Sequence, residues 1–258
     1  MKYLWIGAIV LIFGLRLFIR SMRHNEQQEY QHLVEEQEEY QKHAGERFKR
    51  FSEATSGEKA TSKDESRSFY KGLVERNYLQ YADPADTSTI HQAFVNTDSE
   101  DVLPLAYAED HTLLSDRRYY PCNGGIVYME GGFIKLIDQL RPTFEKMNFK
   151  CEASSQQRVW SPEHKWTNET IVINGKTLTT LRDFTGTGYK EAPARFAEII
   201  NEEMQRQGFN ERVYLVSSGK KGKLAILTPE LYEYIEKSSA NDFHSPQTVA
   251  DWRELQNL

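Results

Sequence analysis

Residues 3–15 carry no charge, and after Arg16 the residues Leu17, Phe18 and Ile19 extend the apolar run to Arg20. As a helix, residues 3–19 would span roughly 25 Å at about 1.5 Å per residue, the short end of what a bilayer core requires. Arg16 stands one turn from Arg20 and can snorkel to the headgroups. A cleaved leader needs small residues after its apolar stretch, and here Arg16, Arg20 and Arg23 follow instead. A surface helix needs a polar face, which residues 2–15 lack. The pattern therefore predicts a single transmembrane helix that anchors the chain in a lipid bilayer, with the anchor region covering residues 1–23.

The pattern then turns polar. Residues 24–54 are rich in Glu, Gln, Lys and Arg and predict a helical stalk. Tyr30, Gln37, Ala44 and Phe51 recur every seven residues, beside Leu33, Tyr40 and Arg47. That is a coiled-coil seam with polar holes, which fits a solvated single helix or a weak parallel homodimer through the stalk. Residues 55–67 hold no large apolar side chain and read as a flexible linker.

A helical lead-in is expected over residues 68–118. Tyr70, Val74, Tyr78 and Tyr81 make its more apolar stripe, and Asp83-Pro84 ends that helix. Residues 86–88 cap a second short helix carrying Ile90, Phe94 and Val95. Residues 96–101 are an acidic loop without a calcium-loop pattern, and residues 102–114 read as helical after Pro104.

Residues 119–258 have the pattern of an α+β domain. Asn123-Gly124-Gly125 marks a turn, followed by a short strand over residues 126–129. Phe133, Ile137, Leu140, Phe144 and Met147 share one helical face, with Pro142 expected to kink or divide that helix. Residues 157–160 read as a strand. Asn174-Gly175 between residues 169–173 and 176–181 predicts a type I′ hairpin, since both turn positions need positive φ. A helix over residues 191–207 buries Phe196, Ile199, Ile200 and Met204, and Gly208 ends it. Residues 212–216 and 223–227 form a second hairpin. Thr228-Pro229-Glu230 opens a helix bearing Leu231, Tyr234 and Ile235, and Val249, Trp252 and Leu255 mark a terminal one. The predicted architecture is one mostly antiparallel sheet of hairpins packed by helices.

Composition narrows the function. The formal net charge of -6 argues against a nucleic-acid partner. Basic residues are in excess after the apolar run (Arg16, Arg20 and Arg23 against Lys2), which predicts that the bulk of the chain faces the cytoplasm. The two cysteines, Cys122 and Cys151, are then expected to be reduced.

Specific chemistry is sparse. Cys122 lies beside a Gly-rich turn, and His164 and Asp183 downstream would complete a thiol hydrolase, but the residues around Cys122 match no thiol-enzyme signature. The seven histidines show no metal-ligand spacing, and residues 218–223 lack the Ser or Thr of a phosphate loop and sit between strands, where three lysines could meet anionic headgroups. No catalytic, cofactor-binding or metal-ligating set emerges. Trp160 and Trp166 flank a loop in the manner of interface anchors. The expectation is a membrane-tethered, non-enzymatic protein-binding domain with an unidentified protein partner. The alternatives are a membrane-anchored thiol hydrolase using Cys122 and His164, and a self-associating structural scaffold.

Overall fold

A computed structural model describes residues 63–96, 102–107, 113–114, 117–186, 188–217, 222–238 and 244–258. The apolar run at residues 3–19, the stalk at residues 24–54 and residues 55–62 of the expected linker lie outside the described residues, while residues 63–67, read as linker, open the first helix instead. Among the described residues no helix is long and apolar enough to cross a membrane.

The fold is α+β. Helix α1 (Lys63–Glu75) leads through 3-10 turns at Tyr78–Tyr81 and Pro84–Asp86 to α2 (Thr87–Asn96). After a small pairing of β1 (Ala106–Tyr107) with β2 (Leu113–Leu114) come β3 (Tyr119–Pro121), α3 (Gly124–Tyr128) and α4 (Gly132–Met147). Next are β4 (Ala153–Ser161), β5 (Trp166–Ile173), β6 (Lys176–Phe184) and α5 (Gly188–Arg206). Strands β7 (Arg212–Val216) and β8 (Lys223–Leu227) and helices α6 (Pro229–Ser238) and α7 (Val249–Gln256) complete it.

The single sheet expected from the hairpins is in fact two antiparallel three-stranded sheets, ordered β3-β8-β7 and β4-β5-β6. The hairpins themselves form as read. Asn174 and Gly175 have φ of 49° and 75°, as a type I′ turn requires. Asn174 also works as a hydrogen-bond node: its amide donates to the Lys150 carbonyl at 2.8 Å and to Glu203 at 2.6 Å, and its oxygen accepts from Glu152 N–H at 2.9 Å.

The first sheet is buried on both faces. Val213, Leu215, Leu224 and Ile226 point into one core with α4 and α5. The alternate residues Tyr214, Val216, Ala225 and Leu227 point into a second core with Leu73, Tyr78, Ile90 and Phe94. Period-two alternation between two apolar environments explains why both strands read as nearly unbroken apolar runs.

Four local expectations are corrected. Residues 126–129 belong to a helix and its end rather than a strand, because Asn123 is an N-cap whose Oδ1 accepts from Ile126 N–H at 3.2 Å. A short apolar run does not distinguish helix from strand by period. Ala106–Tyr107 and Leu113–Leu114 form short strands where a helix was expected. In α1 the buried large side chain is Leu73, while Val74 is 41% exposed. Helix α4 runs unbroken through Pro142, since Pro142 and Asp138 both face solvent and the carbonyl released by the missing N–H can be hydrated.

Arg118 joins the two cores. It is fully buried, and its guanidinium donates to the carbonyls of Tyr78 at 2.7 Å, Ile226 at 2.9 Å and Asn77 at 3.3 Å. The guanidinium carbon lies 4.6 Å from the centre of the Tyr81 ring. Its own carbonyl accepts from Ile226 N–H at 2.7 Å, so it grips that residue of β8 from both sides. Close by, the Tyr81 hydroxyl donates to Glu211 at 2.6 Å, and burial, reinforced by that carboxylate, pushes the phenol up to about 12. Arg118→Met would leave several buried carbonyls without their donor. The expected loss is about 3 kcal/mol of stability, read as a lower urea midpoint. Arg118→Lys should recover only part of it, because one ammonium lacks the fork geometry. An unchanged midpoint in Arg118→Met would contradict this role.

Candidate functional site

Large apolar side chains left in water are not scattered evenly. Seven are exposed among the described residues, and four of them, Ile126, Met129, Val159 and Trp160, lie on or just after α3 and on β4. Single exposed apolar residues need no explanation, but a group of them on ordered elements does.

Helix α3 is held rigidly despite its length. Its first residue, Gly124, approaches the start of α5 so closely that a Cβ there would lie 2.0 Å from the Tyr189 carbonyl oxygen. Reciprocally, a Cβ on Gly188 would lie 1.9 Å from the Tyr128 ring. Each glycine thus admits a neighbour at backbone distance. Val127 is buried by this contact, while Ile126 and Met129 are 50% and 57% exposed.

Arg158 fastens the same helix to the second sheet. It projects from β4, donates to Glu169 at 2.8 Å, donates to the Tyr128 carbonyl, and stacks 4.5 Å above the Tyr128 ring. Glu169 is 1% exposed and also accepts from the Thr180 hydroxyl at 2.9 Å. Each of its two oxygens thus has a donor, which a buried carboxylate requires. Two residues beyond Arg158 on the same strand face stands Trp160, in a cross-strand row with Thr167 and Phe184. Phe184 packs 6.2 Å from Tyr128. At the hairpin tip His164 stacks flat on Trp166 at 5.7 Å. Arg158, Tyr128, Phe184 and Glu169 thus form a packed, partly aromatic layer in which the ion pair is satisfied within the chain.

The residues of the thiol-hydrolase alternative lie apart in their bonding. Cys122 is 2% exposed in the first core, and burial pushes its thiol up to about 12. A nucleophilic thiol needs access and a stabilised thiolate, and this setting supplies neither. His164 stands exposed in the hairpin turn, and Asp183 is engaged by Asn168 at 3.3 Å. Cys151 is likewise buried and raised to about 12, and both cysteines are free thiols. Among the described residues no group of three metal-ligating side chains comes together.

A cleft of about 430 Å³ lies between β6, α5 and α7. Arg253 lines it, holding Glu191 at 2.8 and 3.0 Å and Glu198 at 2.9 Å. Arg195 bonds Glu198 at 2.8 Å and the Thr179 carbonyl at 2.9 Å. Burial opposes ionisation of Glu198, yet the two guanidiniums hold its carboxyl below the usual range. These charges are spent on one another and tie α7 to α5 and β6.

Trp160 was visible in the sequence as a potential anchor. Ile126 and Met129 were not, because reading them as strand residues hid which side chains face out. Comparison with protein families, with curated proteins and with solved structures gives no match.

In the native fold both cysteines should resist a small thiol reagent and react fully once the chain is unfolded in urea. Rapid modification of Cys122 in the folded protein would contradict its placement.

Proposed function

We propose that this chain is a membrane-tethered, non-enzymatic protein-binding protein whose folded domain faces the cytoplasm. The observation that carries the binding part is the exposure of Ile126 and Met129 at α3 and of Trp160 on the face of β4 that Arg158 shares, with Arg158 bonded to Glu169 and stacked on Tyr128. Rigid aromatic and apolar side chains on a fixed frame lose little entropy on docking, which is what an interaction anchor requires. Trp160 and Met129 are the central contacts of this reading, and the partner is a protein with an apolar complement.

The tether rests on the uncharged run at residues 3–19, taken as a single transmembrane helix in the bilayer, and the orientation on Arg16, Arg20 and Arg23. Residues 24–54 continue as a helical stalk, and residues 55–62, ahead of α1, set the reach of the domain. The thiol-hydrolase alternative draws no support from the burial of Cys122. The scaffold alternative depends on the stalk, outside the described residues.

Two experiments test the proposal. A photo-activatable amino acid placed at Met129, and separately at Trp160, should cross-link in cells to a discrete protein other than a second copy of this chain. The same group at Glu145, an exposed residue of α4, should not. Equal cross-linking at all three positions would remove the basis for the binding reading. For orientation, a Ser56→Cys chain treated with a membrane-impermeant thiol reagent should label only after permeabilisation. The buried native cysteines contribute little background. Labelling of intact cells would place the domain outside.

A further inference from the structure

The edges of the two sheets are treated differently. On β7, Leu215 exchanges main-chain bonds of 3.0 and 2.7 Å with Gln247. On β6, the Arg195 guanidinium covers the edge through two bonds to the Thr179 carbonyl, at 3.2 and 2.9 Å. Strand β4 is the outer strand on the other side of its sheet. Beyond its pairing with β5 and the hairpin turn, no hydrogen bond among the described residues reaches its main chain.

Exposed strand edges are normally blunted by proline, lysine, a bulge or an uncompensated inward charge, and the one bulge of β4 lies at its start, between Ala153 and Ser155, leaving residues 156–161 regular. Strand β4 reads ASSQQRVWS and holds no proline and no lysine. Its one charge, Arg158, is matched inside the chain by Glu169. Next to that charge are Val159 and Trp160, 63% and 51% exposed.

We propose that β4 is a homodimerisation edge, pairing antiparallel with β4 of a second copy to join two three-stranded sheets into one of six strands. A two-fold axis makes the same edge self-complementary. The register that overlaps the whole strand centres on Gln157. It sets Val159 opposite Ser155 of the second copy, so a large apolar side chain meets a small one, and it brings Trp160 to the bulge between Ala153 and Ser155. With Arg158 already neutralised by Glu169 in each copy, the pairing brings no unbalanced like charges together. An interface built mainly on one strand is small beside the standard of about 1,600 Å², so the dimer is concentration-dependent. This inference does not rest on the binding of another protein.

The test uses the full chain in detergent micelles. Sedimentation velocity over a range of concentrations should show reversible dimers. Val159→Lys, a change at an exposed position, should weaken association by roughly tenfold or more. Ser155→Pro provides a second edge-blocking variant, with circular dichroism to check folding. Gln157→Cys should cross-link two copies under mild oxidation, since facing residues of paired strands bring Cα atoms to about 5 Å. Lys135→Cys on α4 should not. A monomer at every concentration overturns the proposal. So does a dimer whose affinity is unchanged by both Val159→Lys and Ser155→Pro, because such a dimer is made elsewhere in the chain.

Discussion

A charge buried without water has to be surrounded, and Arg118 shows how much structure that demands. Its guanidinium needs acceptors in several directions. The chain supplies them from the 3-10 turn that follows α1 and from β8, elements far apart in sequence. The long side chain thereby sets the distance between the helical lead-in and the sheet. A lysine or an apolar residue of the same size would satisfy the packing but not the three carbonyls. The identity of this one residue accordingly constrains the entry path of everything before it.

From that junction the molecule builds outward in layers. The β3-β8-β7 sheet divides two cores, and each of its strands serves both by alternation. The second sheet is one-sided by comparison. On its central strand, Ile171 and Ile173 belong to the first core, while Glu169 and Thr167 continue the same face toward the distal end. The switch from apolar to polar along one strand face marks where packing ends and the exposed surface begins. Helix α3 lies at that switch, held by glycine contacts on one side and by Arg158 on the other.

Much of this was legible locally. The Asn174-Gly175 turn, the β7 and β8 limits, the Thr228 cap and the buried face of α4 follow from residue types within a few positions of one another. What escaped depends on distant partners. Tyr119-Tyr120-Pro121 becomes a strand only because β8 lies alongside it. Leu73 rather than Val74 turns inward because α1 packs toward α2 and α6, and the spacing of apolar residues alone fits either line. The division into two sheets is a matter of which hairpin pairs with what, and two hairpins read separately carry no such information. Ile126 and Met129 were hidden for a different reason: an Asn-Gly-Gly sequence serves equally as a turn and as a helix cap.

The pairing of Tyr119 with Ala225 also has a consequence for the order of events during synthesis. Loop closure over such a separation is slow compared with forming the β7-β8 hairpin. A ribosome emits the lead-in before any of the sheet, then must add α3, α4, the second sheet, α5 and the hairpin before β3 has its neighbour. Throughout that interval Leu73, Ile90 and Phe94 lack the surface that finally covers them. The nascent chain therefore carries uncovered apolar side chains near its beginning until nearly the last turn of the fold has been made, and its dependence on chaperones should be set by that delay rather than by the stability of the finished domain.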